Sequence, residues 1–474
     1  MPLVVGVDSS TSACKVQVRD VDTGTVVSSA RAPHPATTPP RSEQRPRDWE
    51  EAFHLACAEA QVGTTHRPVA LAVGAQQHGL VVLDRQGDVL RPAKLWNDTE
   101  SAQDTEELLA ELPGGRAAWA EACGSVPLPA FTVTKLRWLR RCEPETLRRT
   151  AAVMLPHDWL TFRLTGQRVT DRGDASGTGY WSPAQSRYRV DLLEDLVDAG
   201  VDWEGALPEV LSPREAAGTW VGTGALVGPG TGDNMAAALG LGLRPGDLAL
   251  SFGTSGTAFT VSEQPSADPN GIVAGFADAT GRFLPLVCTL NATKVTGAVR
   301  RLLGVDQERF DQLALEAPAG ASGLVLVPHF DGERTPNRPG ATGTLTGLRS
   351  DVTAAQLARA AVEGVVCNLL EGADALGGES REGRVLLIGG AARSAAYRRV
   401  VADLTGRPVL VPSEGELVAA GAAVQAAAAH LGCDFAQVSE AWGLGVGEFV
   451  EPDHGVDRSA IRAAYADAAR SAAA

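Results

Sequence analysis

Short apolar runs separated by polar turns open the chain and predict a β-meander. The turn Asp22-Thr23-Gly24 joins the second and third of these runs. Each run is short and rich in Val, as strands usually are. The three expected strands are residues 3 to 7 (LVVGV), 16 to 19 (VQVR) and 25 to 29 (TVVSS).

A further apolar run, residues 69 to 74 (VALAVG), ends in Gln76-Gln77-His78-Gly79 and precedes another expected strand, LVVLD at 80 to 84. Small ligands tend to bind at loops that follow strands in α/β proteins. The QQHG loop is therefore a candidate binding loop. Helical patterns dominate from about residue 99 to 215, and Pro144 is expected to divide two helices within 135 to 149.

The segment LALSFGTSGTAFTVS at 248 to 262 repeats the order strand, small-residue turn, strand found in VVGVDSSTSACKVQVR near the start. Two such units predict two related α/β domains facing each other across a cleft, with a boundary near Gly240 to Gly246. A length of 474 residues also favours two large domains.

The second half ends in a pattern suited to a nucleotide. After a long helix at 353 to 376 come the buried-looking strand RVLLI at 384 to 388, the turn Gly389-Gly390-Ala391 and a helix at 392 to 406. A glycine turn between a strand and a helix points backbone N–H groups at an anion.

Composition narrows the class of protein. Against 42 basic residues there are 57 acidic ones, a net charge of −15 that disfavours nucleic acid and anionic membranes as partners. Seven scattered Cys without a C-x-x-C pair argue against disulfides and zinc and favour a reducing cytoplasm. The start MPLVVGVD lacks the pattern of a signal peptide, and the Ala-rich stretch at 418 to 431 is too short to span a membrane.

Two turns are candidate phosphate-binding elements. In DSSTSACK, Asp8 to Lys15, backbone N–H groups and hydroxyls can cradle phosphate while Asp8 holds Mg²⁺ directly or through water. The turn Gly253-Thr254-Ser255-Gly256 has the same logic, because paired glycines let the backbone approach a phosphate. The alternative for each is a polar hairpin turn without a ligand.

Several further strings make the pattern resemble the FGGY family of carbohydrate kinases, and within it the xylulokinase branch. With the two turns and IGGAARS at 388 to 394, the resemblance extends from residue 3 to about 430. It implies two ribonuclease H-like domains of the actin, hexokinase and Hsp70 ATPase type. The further strings are SEQ at 42 to 44 before Trp49, QQHG at 76 to 79, LWND at 95 to 98, GDN at 232 to 234 and GERTP at 332 to 336.

The resemblance implies phosphorylation of D-xylulose by ATP with Mg²⁺, and it assigns roles to individual residues. Asp233 is expected to be the catalytic base, with Asp8 assisting catalysis as the metal ligand; the alternative for Asp233 is a helix N-cap. The expected sugar contacts are Gln77, His78, Asp233, Asn234 and Trp96. The expected nucleotide contacts are Thr11, Ser12, Lys15, Thr254, Ser255, Gly256, Gly389 and Gly390.

By the same resemblance, residues 1–245 form a mainly sugar-binding domain, 246–435 a mainly ATP-binding domain, and 436–474 a helical tail. Closure of the domains over the sugar would limit idle ATP hydrolysis. Other readings stay open: a kinase for ribulose, gluconate or glycerol, or a nonenzymatic ATP-driven switch. The GERTP loop is either a wall of the site or an ion-paired surface loop, and a homodimer is compatible with the sequence.

Three positions depart from the family pattern. Ser10 stands where Gly is expected, and a positive φ there would strain it. Ala391 replaces a third glycine, and Gln77 stands where Met often precedes the His. These departures leave the required carboxylates and hydroxyls in place.

Overall fold

The computed structural model describes residues 2–377 and 383–472. As far as they are described, the residues form two compact units. The first unit combines Met1–Leu243, Glu263–Leu284 and Glu414–Gly445, and the second combines Arg244–Ser262, Pro285–Ser413 and Val446–Ala474.

The strands of the described chain, in order, are β1 Leu3–Ser9, β2 Ala13–Asp20, β3 Val26–Pro33, β4 Glu43–Gln44, β5 Pro68–Ala75, β6 Val81–Leu83, β7 Ala93–Lys94, β8 Ala152–Met154, β9 Val169–Asp171, β10 Trp181–Ser182, β11 Arg187–Tyr188, β12 Glu209–Leu211, β13 Gly218–Thr219, β14 Leu226–Val227, β15 Thr231–Gly232, β16 Leu248–Phe252, β17 Gly256–Thr260, β18 Ala274–Ala277, β19 Phe283–Thr289, β20 Val325–Val327, β21 Thr344–Thr346, β22 Val385–Ile388, β23 Val409–Pro412 and β24 Gly447–Val450.

The α-helices of the described chain, in order, are α1 Pro46–Glu59, α2 Ala102–Glu111, α3 Gly115–Cys123, α4 Thr132–Cys142, α5 Pro144–Arg149, α6 Pro156–Thr165, α7 Arg172–Ala175, α8 Val190–Leu196, α9 Trp203–Ala206, α10 Asp233–Gly240, α11 Thr293–Leu303, α12 Gln307–Glu316, α13 Ala354–Ala373, α14 Ala395–Thr405, α15 Leu417–Leu431, α16 Phe435–Ala441 and α17 Arg458–Ser471.

The first unit is built on a seven-stranded mixed sheet. Its strands lie in the order β13-β14-β5-β1-β2-β3, and β15 pairs with the end of β5. The meander β1–β2–β3 is antiparallel, whereas β5 runs parallel to β1. Nearly every residue of β1 and β5 is buried, as expected for strands covered on both faces.

Helix α15 packs against this sheet and against α10 at backbone distance. A Cβ on Gly6 would lie 1.8 Å from the carbonyl oxygen of Ala419, and one on Gly421 would lie 1.8 Å from that of Ala236. Glycine is therefore the residue that permits these contacts, because any side chain would displace a main chain. Residues from near the end of the sequence thereby complete the first unit.

The second unit contains the sheet order β19-β17-β16-β22-β23-β24, with β22 and β23 parallel to β16 and β24 antiparallel at the edge. Helices α11, α13 and α14 supply apolar side chains to its core. The long helix α13 begins with a capping box in which Thr353 and Gln356 satisfy each other's backbone N–H groups.

The structure confirms the main elements predicted from the hydrophobic pattern. The meander, the strand at 68–75, the hairpin β16–β17 and the division of α4 from α5 at Pro144 are all present. The expected helical tail contains α17, but it also contains strand β24, and its last two residues lie outside the described chain. The division into a sugar-binding and an ATP-binding domain stays a prediction.

Over residues 2–377 and 383–472, no helix on its own has the length and hydropathy needed to cross a membrane, while α15 and α16, bent by 115°, meet that test only as a pair.

The close approach of α15 to α10 generates a prediction. We expect Gly421→Ala to lower the free energy of unfolding by about 1–3 kcal/mol, because the new methyl group would overlap the Ala236 carbonyl. Urea-induced unfolding of the whole chain measures this. Gly415→Ala is the control, since a Cβ there meets nothing within 4 Å; equal stability of the two variants would contradict the packing argument.

Candidate functional site

Three parallel strand ends meet at one edge of the first unit's sheet. Asp8 of β1 lies opposite Gly74 of β5, and Gly232 of β15 lies opposite Ala75. Asp233 follows β15 directly. Because parallel strands end at the same edge, Asp8, the QQHG loop and Asp233 are brought together there, at the edge where α/β proteins usually bind ligands.

Asp8 is buried at the end of β1, beside Lys15 of β2. Lys15 Nζ lies 3.2 Å from Asp8 Oδ2 and 2.6 Å from Glu416 Oε2. Burial raises the pKa of Asp8, and Lys15 partly offsets that effect. The other oxygen, Asp8 Oδ1, is buried and has no hydrogen-bond partner among the described residues.

The turn after β1 is closed by Ser10, whose amide and hydroxyl both donate to the Ala13 carbonyl. The φ of Ser10 lies outside the left-handed region, so the strain expected at this position is absent. The Thr11 hydroxyl donates to Gln76 Oε1 at 3.0 Å and accepts from Trp96 Nε1 at 2.9 Å. Ser12 is exposed at the tip of the turn.

Gln44, the last residue of the SEQ string at 42 to 44, supports this turn through hydrogen bonds. The Gln44 carboxamide donates to the carbonyls of Thr11 and Pro35, and Trp49 Nε1 donates to Gln44 Oε1 at 2.7 Å. Both Gln44 and Trp49 are buried. They therefore fix the backbone of the predicted phosphate turn.

Asp233 begins helix α10, and Gly232 occupies the N-cap position. Asp233 Oδ1 accepts hydrogen bonds from the backbone and the side-chain nitrogens of Asn234, at 2.8 and 2.9 Å. Asn234 Nδ2 also donates to Gln77 Oε1 at 2.8 Å. Asn234 thus links the predicted base to the predicted sugar-binding loop.

The environment of Asp233 weakens its acidity. Removal from water raises its pKa to about 7, and the negative charges of Asp8 and Asp174 add to the shift. The positive end of α10 acts in the opposite direction and tolerates an anion at this position. At neutral pH the group is poised between its two protonation states.

The segment that leads to Asp233 is held by a buried glutamine of α15. Gln425 Oε1 accepts from the Gly230 amide at 2.9 Å, and Gln425 Nε2 donates to the Gly230 carbonyl at 3.0 Å. On the other side, the Thr231 hydroxyl donates to Asp171 Oδ2. These contacts fix β15 before the chain enters α10.

His78 occupies the left-handed region, with a φ of 65°, and its Nδ1 lies 2.7 Å from the Gly177 carbonyl. Its ring stacks on Phe131 with centroids 4.8 Å apart and lies 5.7 Å from Phe276. The aromatic neighbours fix the plane of the imidazole. This geometry is compatible with the predicted sugar contact, which stays a prediction.

Of the residues in the LWND string, some lie near the predicted site and others lie in the core. Trp96 is 41% exposed and lies beside Thr11, whereas Asp98 is fully buried and pairs with Lys94 at 3.0 Å. Glu43 and Glu100 also surround Lys94 Nζ. That group of three carboxylates has the spacing of a metal site, but the ammonium of Lys94 already lies among them and offsets part of their charge.

In the second unit, the turn between β16 and β17 contains Gly253, Thr254 and Ser255. The Thr293 amide and hydroxyl both donate to the Gly253 carbonyl, so the start of α11 holds this turn. Thr254 is exposed. A Cβ on Gly256 would lie 2.6 Å from the Thr289 hydroxyl, so strand packing requires this glycine.

The turn after β22 lies at the same sheet edge, because β22 is parallel to β16. Gly389 has a φ of 82°, and a Cβ there would press on the backbone of Phe252. Gly390 is exposed with open space around it. Ala391 is buried and its φ lies outside the left-handed region, so alanine fits where the family pattern has glycine.

A cavity of about 440 Å³ opens beside Gly390, a size that suits a nucleoside. Its wall consists of the first turns of α11 and α14 together with the glycine turn. The lining residues are Thr293, Thr296, Gly297, Arg300, Gln307, Gly390, Ala391, Arg393, Ser394 and Tyr397.

The GERTP loop is anchored through a buried acid. Glu333 accepts hydrogen bonds from the Leu290 amide and from the side chains of Asn291 and Asn368. It therefore organises the chain that precedes α11, where the Ala292 amide donates to the Thr254 carbonyl. The alternative of an ion-paired surface loop is wrong for Glu333.

Several residues of these sites escape sequence reasoning. The sequence of α11, which lines the cavity, has an ordinary amphipathic pattern. Gly297 within that helix is the one local feature that could have indicated a binding surface. Phe131 and Phe276 are distant from His78 in sequence, as Glu416 is from Lys15. Only the fold brings such pairs together.

Comparison with known proteins agrees with this geometry. The models of the N-terminal and C-terminal domains of the FGGY family of carbohydrate kinases match residues 3–240 and 248–430. The xylulose kinase of Streptomyces rubiginosus is 48% identical over 95% of this chain and 92% of its own length.

Solved structures agree as well. The crystal structure of xylulose kinase from Bifidobacterium adolescentis superposes with a TM-score of 0.87 and 40% identity, covering 99% of each chain. Glycerol kinase from Plasmodium falciparum, solved with ADP, has a TM-score of 0.88 at 18% identity over 100% of this chain and 98% of its own, which shows the fold alone. The predicted two-domain α/β fold of the actin and hexokinase type is confirmed.

The hold of Gln425 on β15 generates a prediction. We expect Gln425→Leu to lower the free energy of unfolding by about 2–4 kcal/mol, because it leaves the buried amide and carbonyl of Gly230 without partners. Denaturant unfolding measures the change. Gln103→Leu on the exposed face of α2 is the control, and a loss no larger than in that control would refute the assigned role.

Proposed function

The chain belongs to the FGGY family of carbohydrate kinases, and on that premise we propose that it transfers the γ-phosphoryl group of ATP to D-xylulose, giving D-xylulose 5-phosphate and ADP. The choice of sugar is supported by the relatives named xylulose kinase, including one at 48% identity.

The observation that carries the proposal is the position and acidity of Asp233. Its carboxylate stands at the strand edge next to the QQHG loop, oriented by Asn234, with its pKa raised to about 7. A general base is most effective when its pKa lies near the working pH. Such a group can accept the proton of a sugar hydroxyl as the bond to phosphorus forms.

Sugar recognition is assigned to the polar groups around that base. Gln77 and Asn234 already share a hydrogen bond, and His78 is fixed by its aromatic neighbours. These three side chains offer donors and acceptors suited to a polyhydroxy substrate. Trp96 would cover an apolar face of the sugar while its N–H holds Thr11.

Nucleotide binding is assigned to the second unit and to the first phosphate turn. The 440 Å³ cavity beside Gly390 would take the adenosine, and Thr254, Ser255 and Gly256 would lie along the phosphates. On the first unit, Thr11, Ser12 and Lys15 would face the terminal phosphates. The Thr11 hydroxyl is shared with Trp96 and Gln76, so its backbone is the better candidate for the phosphate contact.

Asp8 fits the predicted metal role. Its Oδ1 is buried without a hydrogen bond from the described residues, and hard oxygen ligands suit Mg²⁺. The metal would neutralise charge on the transferred phosphoryl group. Lys15, itself paired with Glu416, holds the other oxygen of Asp8 in place.

We further propose a cytoplasmic enzyme that acts on free sugar and ATP without a nucleic acid or membrane partner. The net charge of −15 supports this, because such a charge repels both polyanions and anionic lipid surfaces. Whether a homodimer forms stays a prediction of the sequence alone.

Substitution of the base tests the proposal. We expect Asp233→Asn to lower kcat for D-xylulose by at least about 100-fold, the usual contribution of general base catalysis. ADP release with Mg·ATP is measured against D-xylulose, ribulose, gluconate and glycerol. Preference for another sugar would refute the substrate, and native turnover in the variant would refute the base.

Two controls accompany that experiment. Asp202→Asn changes an N-cap carboxylate of α9 outside the predicted site and is expected to keep native turnover. The pKa of Asp233 is higher in the folded chain than in the unfolded chain. Ionisation of this group therefore lowers the free energy of unfolding as pH rises from about 4 to about 7. Asp233→Asn should therefore be at least as stable as the native chain at pH 8, which excludes misfolding as the cause of inactivity.

The acidity of Asp233 generates a pH prediction. Only the carboxylate form accepts a proton, so kcat/KM for D-xylulose should fall about tenfold per pH unit below about pH 7. Initial rates between pH 5 and 9 at saturating Mg·ATP give the profile. A profile flat down to about pH 5 would show that Asp233 is not the group that limits the acid side.

A further inference from the structure

The first unit contains a buried histidine that is surrounded by three aspartates and lies next to the segment leading to Asp233. His157, in the first turn of α6, is fully buried. Its Nδ1 lies 2.7 Å from Asp174 Oδ2, and its Nε2 lies 3.1 Å from Asp158 Oδ1 and 3.9 Å from Asp171 Oδ1. A buried cluster of this kind is costly unless every charge has a partner.

The three aspartates have different partners. Asp158 Oδ2 accepts from the Leu155 amide and so begins α6. Asp171 accepts from the amides at the start of α7 and from the Thr231 hydroxyl. Two of the acids are thus used by the fold, whereas Asp174 binds His157 through Oδ2 and its Oδ1 has no hydrogen-bond partner among the described residues.

Asp174 connects the histidine to the base. Burial raises the pKa of Asp174, and His157 and the Gln77 side chain oppose that rise. Gln77 Oε1 accepts from Asn234 Nδ2, and Asn234 donates twice to Asp233 Oδ1. Between the contacts of His157 with Asp174 and those of Gln77 with Asn234, the buried donor Gln77 Nε2 and the buried acceptor Asp174 Oδ1 have no hydrogen-bond partners among the described residues.

The imidazole also touches the backbone that leads to the base. A Cβ on Gly230 would lie 2.5 Å from His157 Cδ2, so ring and backbone are in close contact there. Gln425 holds the same glycine from α15. His157 consequently contacts the path to Asp233 both through side chains and through the main chain.

From these contacts we propose that His157 is a positioning residue for the phosphoryl transfer, acting through Asp174 and Gln77 on Asn234 and Asp233. The inference rests on the proposed function, since it assumes that Asp233 is the base. His157 does not touch the sugar; it fixes the group that orients the base.

Burial and the surrounding charges together set the charge state of the cluster. Burial alone would lower the pKa of His157, but the charges of Asp158 and Asp174 outweigh that effect and raise the pKa to about 9. Burial raises the pKa of Asp158 to about 7 and that of Asp171 to about 6. The imidazole is therefore cationic at neutral pH, and its Nδ1–H donates to Asp174 Oδ2 at 2.7 Å.

Five variants test the proposal in the full chain. His157→Leu and Asp174→Ala interrupt the contacts, and their double variant tests whether the two residues act along one path. His157→Asn places an amide donor where Nδ1 stands. Asp158→Asn is the matched control, because it alters the same cluster on the side away from Gln77.

We expect His157→Leu and Asp174→Ala each to lower kcat for D-xylulose by at least about tenfold, as small displacements of a catalytic group do, with KM for ATP unchanged within about twofold. The double variant should lose no more than Asp174→Ala alone. His157→Asn should recover most of the loss, and Asp158→Asn should keep native kcat. Thermal unfolding is recorded for all five.

Native kcat in Asp174→Ala overturns the proposal even if His157→Leu does not fold. Equal losses of kcat and stability in His157→Leu and Asp158→Asn also overturn it, since they indicate a purely structural cluster. If the native chain has no sugar-stimulated turnover, or if Asp233→Asn is fully active, the proposed function itself fails. If turnover depends on Asp233 but not on His157 or Asp174, only the positioning role fails.

Discussion

The parallel alignment of β1, β5 and β15 is the constraint on which the site of the first unit depends. Each strand contributes a different group at its carboxyl end, and the register sets their spacing across the sheet. The segments come from widely separated parts of the sequence, so the alignment is held by what packs against it. Helix α15 does this through contacts that only glycine permits, at Gly6 and Gly421.

The same packing buries several carboxylates. Hydrogen bonds offset the cost of their desolvation to different degrees. Asp171 is satisfied by backbone amides and by Thr231, and Asp158 by the start of α6. Asp8 keeps one oxygen without a protein donor, and Asp233 keeps a raised pKa. This difference in hydrogen bonding separates the acids that hold the fold from the two that are predicted to act in the site.

Local sequence patterns predict the strands and turns well because alternation, apolar runs and turn residues are properties of neighbouring positions. Asp8, Gln77 and Asp233 were identified from strings at strand ends, and the structure places them at one sheet edge. The place of α15 could not be predicted, because an Ala-rich helix buried on most sides carries no stripe that names its partner. The strain expected at Ser10 is absent because the turn closes through the Ala13 carbonyl without a left-handed residue.

The His157 cluster shows why the remaining part escapes prediction. In the sequence, Asp158 begins a helix, Asp171 caps another and Asp174 lies in a polar stretch, and each has an ordinary local role. They come together around His157 only after α6, β9 and α7 pack against one another. The string around Asp233 singles out the carboxylate, but its acidity depends first on burial and then on the charges of Asp8 and Asp174, which that string does not contain.

A raised pKa at Asp233 is consistent with the chemistry of phosphoryl transfer. The transition state is loose, so little negative charge accumulates on the attacking oxygen before bond formation, and a carboxylate need not remove the proton in advance. A base with a pKa near 7 gains more from accepting the proton than one near 4, while about half of it is still ionised at neutral pH. Burial that would be a cost for the fold is thereby an advantage at this one position, provided that Asn234 and the groups behind it keep the carboxylate oriented.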